Sequence, residues 1–117
     1  MASVLIVDDD TDLLEMVTMA LSTHGFAITS ISDGKTFIDT VSTVQPDVIL
    51  LDVFLGDIDG RNLCQKLKTE TRYRNIPVIL YSAGNISMRS IIESAANAFF
   101  PKPFNIKQLT DKISSLL

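Results

Sequence analysis

Asp8 and Asp9 follow the apolar run Val4-Leu5-Ile6-Val7, and Asp52 follows the run Val48-Ile49-Leu50-Leu51. Ser82 follows Val78-Ile79-Leu80-Tyr81, and Lys102 follows Ala98-Phe99-Phe100 after one proline. If the runs are strands of one parallel sheet, these polar groups gather on a single rim. Two carboxylates about 6 Å apart repel by roughly 3 kcal/mol at an effective dielectric of 20. Lys102 carries one positive charge and cannot balance three acids. An all-oxygen cluster with room for water and a phosphate suits Mg²⁺ or Mn²⁺. A carboxylate nucleophile, a dication, an ammonium and a hydroxyl are the parts for accepting a phosphoryl group as an aspartyl phosphate.

The elements that must position these residues are legible. Consecutive apolar, β-branched-rich positions mark strands buried on both faces, as in the middle of a parallel sheet. Ala27-Ile28-Thr29-Ser30-Ile31 and Ala98-Phe99-Phe100 are weaker strand signals. Between the strands lie apolar stripes at helical spacing. They are Leu13, Val17, Ala20 and Leu21; Phe37, Val41 and Val44; Leu63, Cys64 and Leu67; Ile91, Ile92, Ala95 and Ala96; and Ile106, Leu109, Ile113 and Leu116. Asp12 with Glu15 fits a capping box, Gly25 a helix stop, and Pro46 and Pro77 breaks before strands. The alternation βαβαβαβαβα requires right-handed crossovers and helices on both faces of the sheet. The expected fold is α/β and flavodoxin-like, a doubly wound (βα)5 three-layer sandwich. Its parallel five-stranded sheet has the order 2-1-3-4-5, with the site at the carboxyl ends of the strands.

Composition narrows the function. With 117 residues the chain has room for one domain, expected to span 1–117. Lys and Arg total 10 against 14 Asp and Glu, a net charge of −4 that disfavours direct nucleic-acid binding. A single cysteine excludes an internal disulfide. The amino terminus lacks a signal-peptide pattern, and no apolar run nears the ~20 residues of a membrane span, so a cytoplasmic protein without membrane contact is expected.

At these residues the chain resembles the receiver domains of two-component response regulators, including the chemotaxis-regulator type. The resemblance rests on Val7-Asp8-Asp9-Asp10, the segment Leu51-Asp52-Val53-Phe54-Leu55-Gly56-Asp57-Ile58-Asp59-Gly60, Tyr81-Ser82-Ala83 and Lys102-Pro103-Phe104. Ser32-Asp33-Gly34 fits the turn after the second strand. The resemblance implies that Asp52 is the phosphoacceptor. Asp9 would ligate Mg²⁺ (or Mn²⁺) directly, with Asp52 and the Phe54 backbone carbonyl, while Asp8 holds a metal-bound water. Lys102 would contact the phosphoryl oxygens, together with backbone groups of Phe54 and Ala83. Ser82 would swing onto the phosphoryl group and Phe99 would turn inward as the switch aromatic. A cis Lys102–Pro103 bond is implied. Implied partners are a sensor histidine kinase or phosphotransfer protein and a downstream target or output domain. The protein would be a self-phosphorylating and self-dephosphorylating acceptor rather than a turnover enzyme.

The chain departs from the family at several positions. Gly56 stands where Pro is frequent, which suggests a looser loop. Ala95 replaces the usual Gly before the last strand. Phe99 lacks the hydroxyl of Tyr, and Ala98 replaces the Asp of one dimer-forming subfamily. Other features have plain readings: Asp10 and Asp12 as helix caps, His24 as a helix-end residue, Cys64 as packing, and Asp57 and Asp59 as solvated loop or helix-start acids. Two other functions compete. Asp57-Ile58-Asp59-Gly60 superficially matches the opening motif of haloacid-dehalogenase-type phosphohydrolases, but no buried strand precedes it and the chain is too short for that family's later motifs. A phosphorylation-independent binding module of the same fold usually lacks an acid or the lysine, and this chain lacks neither. The sequence leaves open a stand-alone receiver or a piece of a longer regulator.

Overall fold

In the computed structural model, which describes residues 1–117, five parallel strands form one sheet. They are β1 (Ser3–Val7), β2 (Ala27–Ile31), β3 (Val48–Asp52), β6 (Val78–Ser82) and β7 (Ala98–Pro101), in the order β2-β1-β3-β6-β7. Counted within this sheet alone, that is the expected order 2-1-3-4-5. The helices are α1 (Thr11–Thr23), α2 (Phe37–Val44), α3 (Gly60–Thr69), α4 (Met88–Ser94) and α5 (Ile106–Leu116). A short 3-10 turn, Gly34–Thr36, leads into α2. No helix is long and apolar enough to cross a membrane.

Strand side chains alternate between faces, so each strand feeds two cores. Leu5, Val7, Ile49, Leu51, Val78 and Leu80 meet Phe37, Val41, Cys64, Leu67 and Ile91 of α2, α3 and α4. Val4, Ile6, Val48, Leu50, Ile79 and Tyr81 meet Leu14, Val17, Leu21, Leu109 and Ile113 of α1 and α5. The same parity holds at the carboxyl ends of the strands. Asp8 and Asp52 extend the rows that face α1 and α5, whereas Ser82 extends the row that faces α3 and α4.

Three local expectations are corrected. Asp12 and Glu15 form no capping box; Asp10 caps α1 by accepting from the Leu13 N–H, and Asp12 sits in the first turn. The fourth helix is shorter than its apolar pattern. It ends at Ser94, Ala95 adopts φ 64°, and Ile92 is exposed. The segment after β3 is not a simple loop. It folds into a hairpin of β4 (Phe54–Leu55) and β5 (Ile58–Asp59), with Gly56 at φ 65° in its turn. Gly56 therefore defines a different turn and not a looser one, because proline cannot take that φ.

Candidate functional site

The three acids converge at the carboxyl end of the sheet. Asp8, Asp9 and Asp52 each place a carboxylate oxygen within 4.8 Å of the other two. Register explains this: β1 and β3 pair Val7 with Leu51, so the next residues, Asp8 just past β1 and Asp52 at the end of β3, lie side by side. Asp8 is fully buried and Asp52 nearly so, whereas Asp9 is exposed. Lys102 reaches in from beyond β7, with its Nζ 3.0 Å from Asp8 Oδ2 and 3.3 Å from Asp52 Oδ2. The Lys102–Pro103 bond is cis.

Each acid is also held by backbone. The Asp10 N–H donates to Asp8 Oδ1 at 2.9 Å, and the Phe54 N–H donates to Asp52 Oδ1 at 3.3 Å. The Gly56 N–H donates to Asp9 Oδ2 at 3.1 Å, which ties the hairpin turn to the acid cluster. Glycine serves twice here, because proline at Gly56 would remove this donor as well as the turn.

The electrostatics are unbalanced. Burial, and after it the negative charge of Asp8, push the Asp52 carboxyl up to about 6 from 3.8; Lys102 and the Phe54 N–H pull the other way. Burial pulls the Lys102 ammonium down, but its hydrogen bond to Asp8 and the charges of Asp52 and Asp8 outweigh it, leaving a net upward shift. Three carboxylates and one ammonium leave about two negative charges uncompensated, which one dication neutralises. The clustered donors are all carboxylate oxygens and fit a hard cation such as Mg²⁺.

Ser82 is buried on the other parity. Its Oγ accepts the Gly84 N–H at 3.1 Å, and its own proton has no acceptor. Phe99, half-buried, packs against the same core as Leu80, its register partner. Ala83 is exposed on the loop after β6, and the Phe54 ring, 51% exposed, lies against the next residue, Gly84. A Cβ at Gly84 would sit 3.1 Å from that ring.

Asp57 is exposed, whereas Asp59 has a structural task that sequence reasoning understated. It caps α3 by accepting the Arg61 N–H and pairs with the Arg61 guanidinium at 2.7 Å, which lowers the Asp59 carboxyl. Arg61 Nη1 then donates to Ser90 Oγ of α4 at 3.0 Å, linking the start of α3 to that helix. His24 contacts the Ala20 carbonyl at the end of α1, and Cys64 is buried packing, with burial raising its thiol to about 11.

Two residues of the site escaped sequence reasoning. A Cβ at Gly60 would overlap the Asp52 carbonyl, so the backbone of α3 can approach the acid's own strand end only as glycine. Tyr81 appeared as the last apolar residue of a strand, yet its hydroxyl donates to Asp8 Oδ2 at 2.9 Å. The available signal was parity: on the paired strands Tyr81 faces the same side as Asp52.

Comparison with known proteins agrees with this geometry. The sequence profile of the response regulator receiver domain matches residues 4–114. The chain is 34% identical over 116 residues to the transcriptional regulatory protein CseB of Streptomyces coelicolor, covering 97% of this chain and 48% of CseB. It is 35% identical over 117 residues to the probable transcriptional regulatory protein TcrX of Mycobacterium tuberculosis, covering 98% of this chain and 49% of TcrX. The chain thus spans about half the length of the curated relatives it matches. Among solved structures, the receiver domain of Francisella response regulator 1452 superposes with a TM-score of 0.88 at 28% identity, covering 99% of this chain and 96% of that one. The chemotaxis protein CheY4 of Vibrio cholerae superposes with a TM-score of 0.90 at 25% identity, covering 100% and 99%.

Proposed function

This chain belongs to the response regulator receiver family, and on that premise we propose that it is a phosphoacceptor switch charged at Asp52 in a Mg²⁺-dependent reaction. The donor is a histidine kinase or phosphotransfer protein. The reader is a downstream target or an output domain. The observation that carries the proposal is the convergence of Asp8, Asp9, Asp52 and Lys102, drawn from three strand ends, onto one partly buried pocket.

An Asp52 carboxylate oxygen attacks the donor's phosphorus. The new O–P bond forms as the bond from phosphorus to the donor breaks, and the donor keeps that electron pair. With its carboxyl raised to about 6, Asp52 is still mostly ionised at neutral pH and is more basic than an ordinary aspartate. Asp9, Asp52 and the Phe54 carbonyl would hold the Mg²⁺, with Asp8 hydrogen-bonded to one of its waters, and the ion would supply neutralisation of the phosphoryl charge. Lys102 lies 3.3 Å from Asp52 and stabilises the charge that develops there. Backbone groups of Phe54 and Ala83 flank the acceptor.

Once phosphorylated, Asp52 offers strong acceptors to the uncommitted Ser82 proton. Ser82 moves toward them, Phe99 fills the space released in the core it shares with α4, and the α4 face changes. Driving such a switch from 1:99 to 99:1 takes about 5.5 kcal/mol, the order supplied by several charge-assisted hydrogen bonds. The chain acts as a stoichiometric acceptor and not as a turnover enzyme.

The test is intact-protein mass after incubation with Mg²⁺ and acetyl phosphate. The expected result is a gain of one phosphoryl group that is absent in EDTA and in Asp52→Asn. No adduct, or an unchanged adduct in Asp52→Asn, would overturn the proposal.

A further inference from the structure

Tyr81 lies level with Asp52 across the β3–β6 ladder, one strand from it and two strands from Asp8. Strands are spaced about 4.8 Å apart, so only a long side chain lying flat along the rim can bridge that gap. Tyr81 does so. Its hydroxyl donates to Asp8 Oδ2 at 2.9 Å and lies 3.4 Å from the Val7 carbonyl. Its ring packs edge-on against Phe104, with centroids 5.6 Å apart. The Lys102 ammonium sits over the same ring, 4.9 Å from the centroid. One buried side chain therefore touches both the acid assigned to the metal's water and the lysine assigned to the phosphoryl group.

The hydrogen-bonding capacity of Asp8 shows what this contact does. An ionised carboxylate has about four acceptor positions. Oδ2 takes the Tyr81 hydroxyl and the Lys102 ammonium, and Oδ1 takes the Asp10 N–H. One position, on Oδ1, is left for a metal-bound water. Without the hydroxyl, Lys102 is the sole donor to Oδ2 of a fully buried carboxylate. The plane of Asp8 is then less fixed.

Resting on the function proposed above, we propose that Tyr81 is a positioning residue of the phosphoacceptor pocket. Its hydroxyl fixes the Asp8 carboxylate for metal binding, and its ring face keeps the Lys102 ammonium within reach. Tyrosine is the side chain that does both. Phenylalanine keeps the ring and loses the hydroxyl.

The experiment titrates Mg²⁺ alone into wild type and Tyr81→Phe by calorimetry at fixed ionic strength. Phosphorylation by acetyl phosphate is then followed as a function of Mg²⁺. Outer-sphere partners of metal ligands typically change metal affinity by about 10- to 100-fold, so the dissociation constant of Tyr81→Phe should rise about tenfold. The Mg²⁺ needed for half-maximal phosphorylation should rise in parallel. The rate at saturating Mg²⁺ should stay within about twofold of wild type, because the ring still holds Lys102. General loosening of the core would instead lower the saturating rate and leave the metal constant unmoved, which overturns the inference. An unchanged or tighter Mg²⁺ constant in Tyr81→Phe also overturns it, while leaving the phosphoacceptor reading intact. A wild type that neither binds Mg²⁺ nor gains phosphate overturns both.

Discussion

Asp52→Asn should stabilise the metal-free protein, by an amount that depends on pH. Asp52 is almost completely buried beside Asp8, and its carboxyl is raised from 3.8 to about 6 in the folded chain. Between those values the folded state holds a proton that the unfolded state has released. Stability therefore falls as pH rises through that window and levels off above it. By linkage, the ionised form costs about 2 kcal/mol at pH 5 and about 3 kcal/mol at pH 7. Asparagine has nearly the same shape and no charge, so it removes this penalty. The loss of the Lys102–Asp52 contact at 3.3 Å is already contained in the net shift. For a domain of this size, about 3 kcal/mol corresponds to a rise in Tm of roughly 10 °C. The assay is urea unfolding of both proteins in EDTA at pH 5, 6, 7 and 8. The variant should lead at every pH, with its lead growing from pH 5 to pH 7. Added Mg²⁺ should narrow the gap, because a ligand that binds only the folded state stabilises wild type by mass action. Equal midpoints, or a gap that ignores pH, would refute the electrostatic argument.

Three other substitutions probe separate parts of the pocket and its supports. Ala95→Gly should stabilise the protein by about 1 kcal/mol in urea unfolding, because Ala95 holds φ 64° at the end of α4 and a left-handed alanine costs about 1–2 kcal/mol. Gly60→Ala should destabilise by about 2 kcal/mol or more and depress phosphorylation, because its Cβ meets the Asp52 carbonyl; thermal melts and adduct mass read the two effects. Lys102→Ala should still accept a phosphoryl group by mass, but phosphorylation should no longer change partner binding. Normal phosphorylation-dependent binding by that variant would remove Lys102 from the switch.

Most of the scaffold was legible because sheet burial leaves a plain record. Val4–Val7, Val48–Leu51 and Val78–Tyr81 are covered on both faces, so every position is apolar, and each of these strands lies within a residue of its apolar run. The gathering of Asp8, Asp52 and Lys102 followed from strand order alone. The hairpin was not legible, since strands of two residues, Phe54–Leu55 and Ile58–Asp59, fall below any periodic signal. Tyr81 was hidden for a different reason. Its ring satisfies an apolar run, and its hydroxyl acquires a partner only through a register spanning three strands. Ile92 shows the converse: an apolar residue at helical spacing was assigned to a core it does not reach, because the inner face of α4 carries Ile91 and Ser94 and Ile92 lies about 100° round from Ile91.

The most direct test of the account is to locate the phosphoryl group. The protein is treated with acetyl phosphate and Mg²⁺, the acyl phosphate is trapped by borohydride reduction, and the chain is sequenced by peptide mass spectrometry. The account predicts that the aspartate at position 52, and no other, is reduced, and that EDTA abolishes the mark. Reduction at Asp57 or Asp59 instead, or a mark at Asp52 that is indifferent to EDTA, would contradict it.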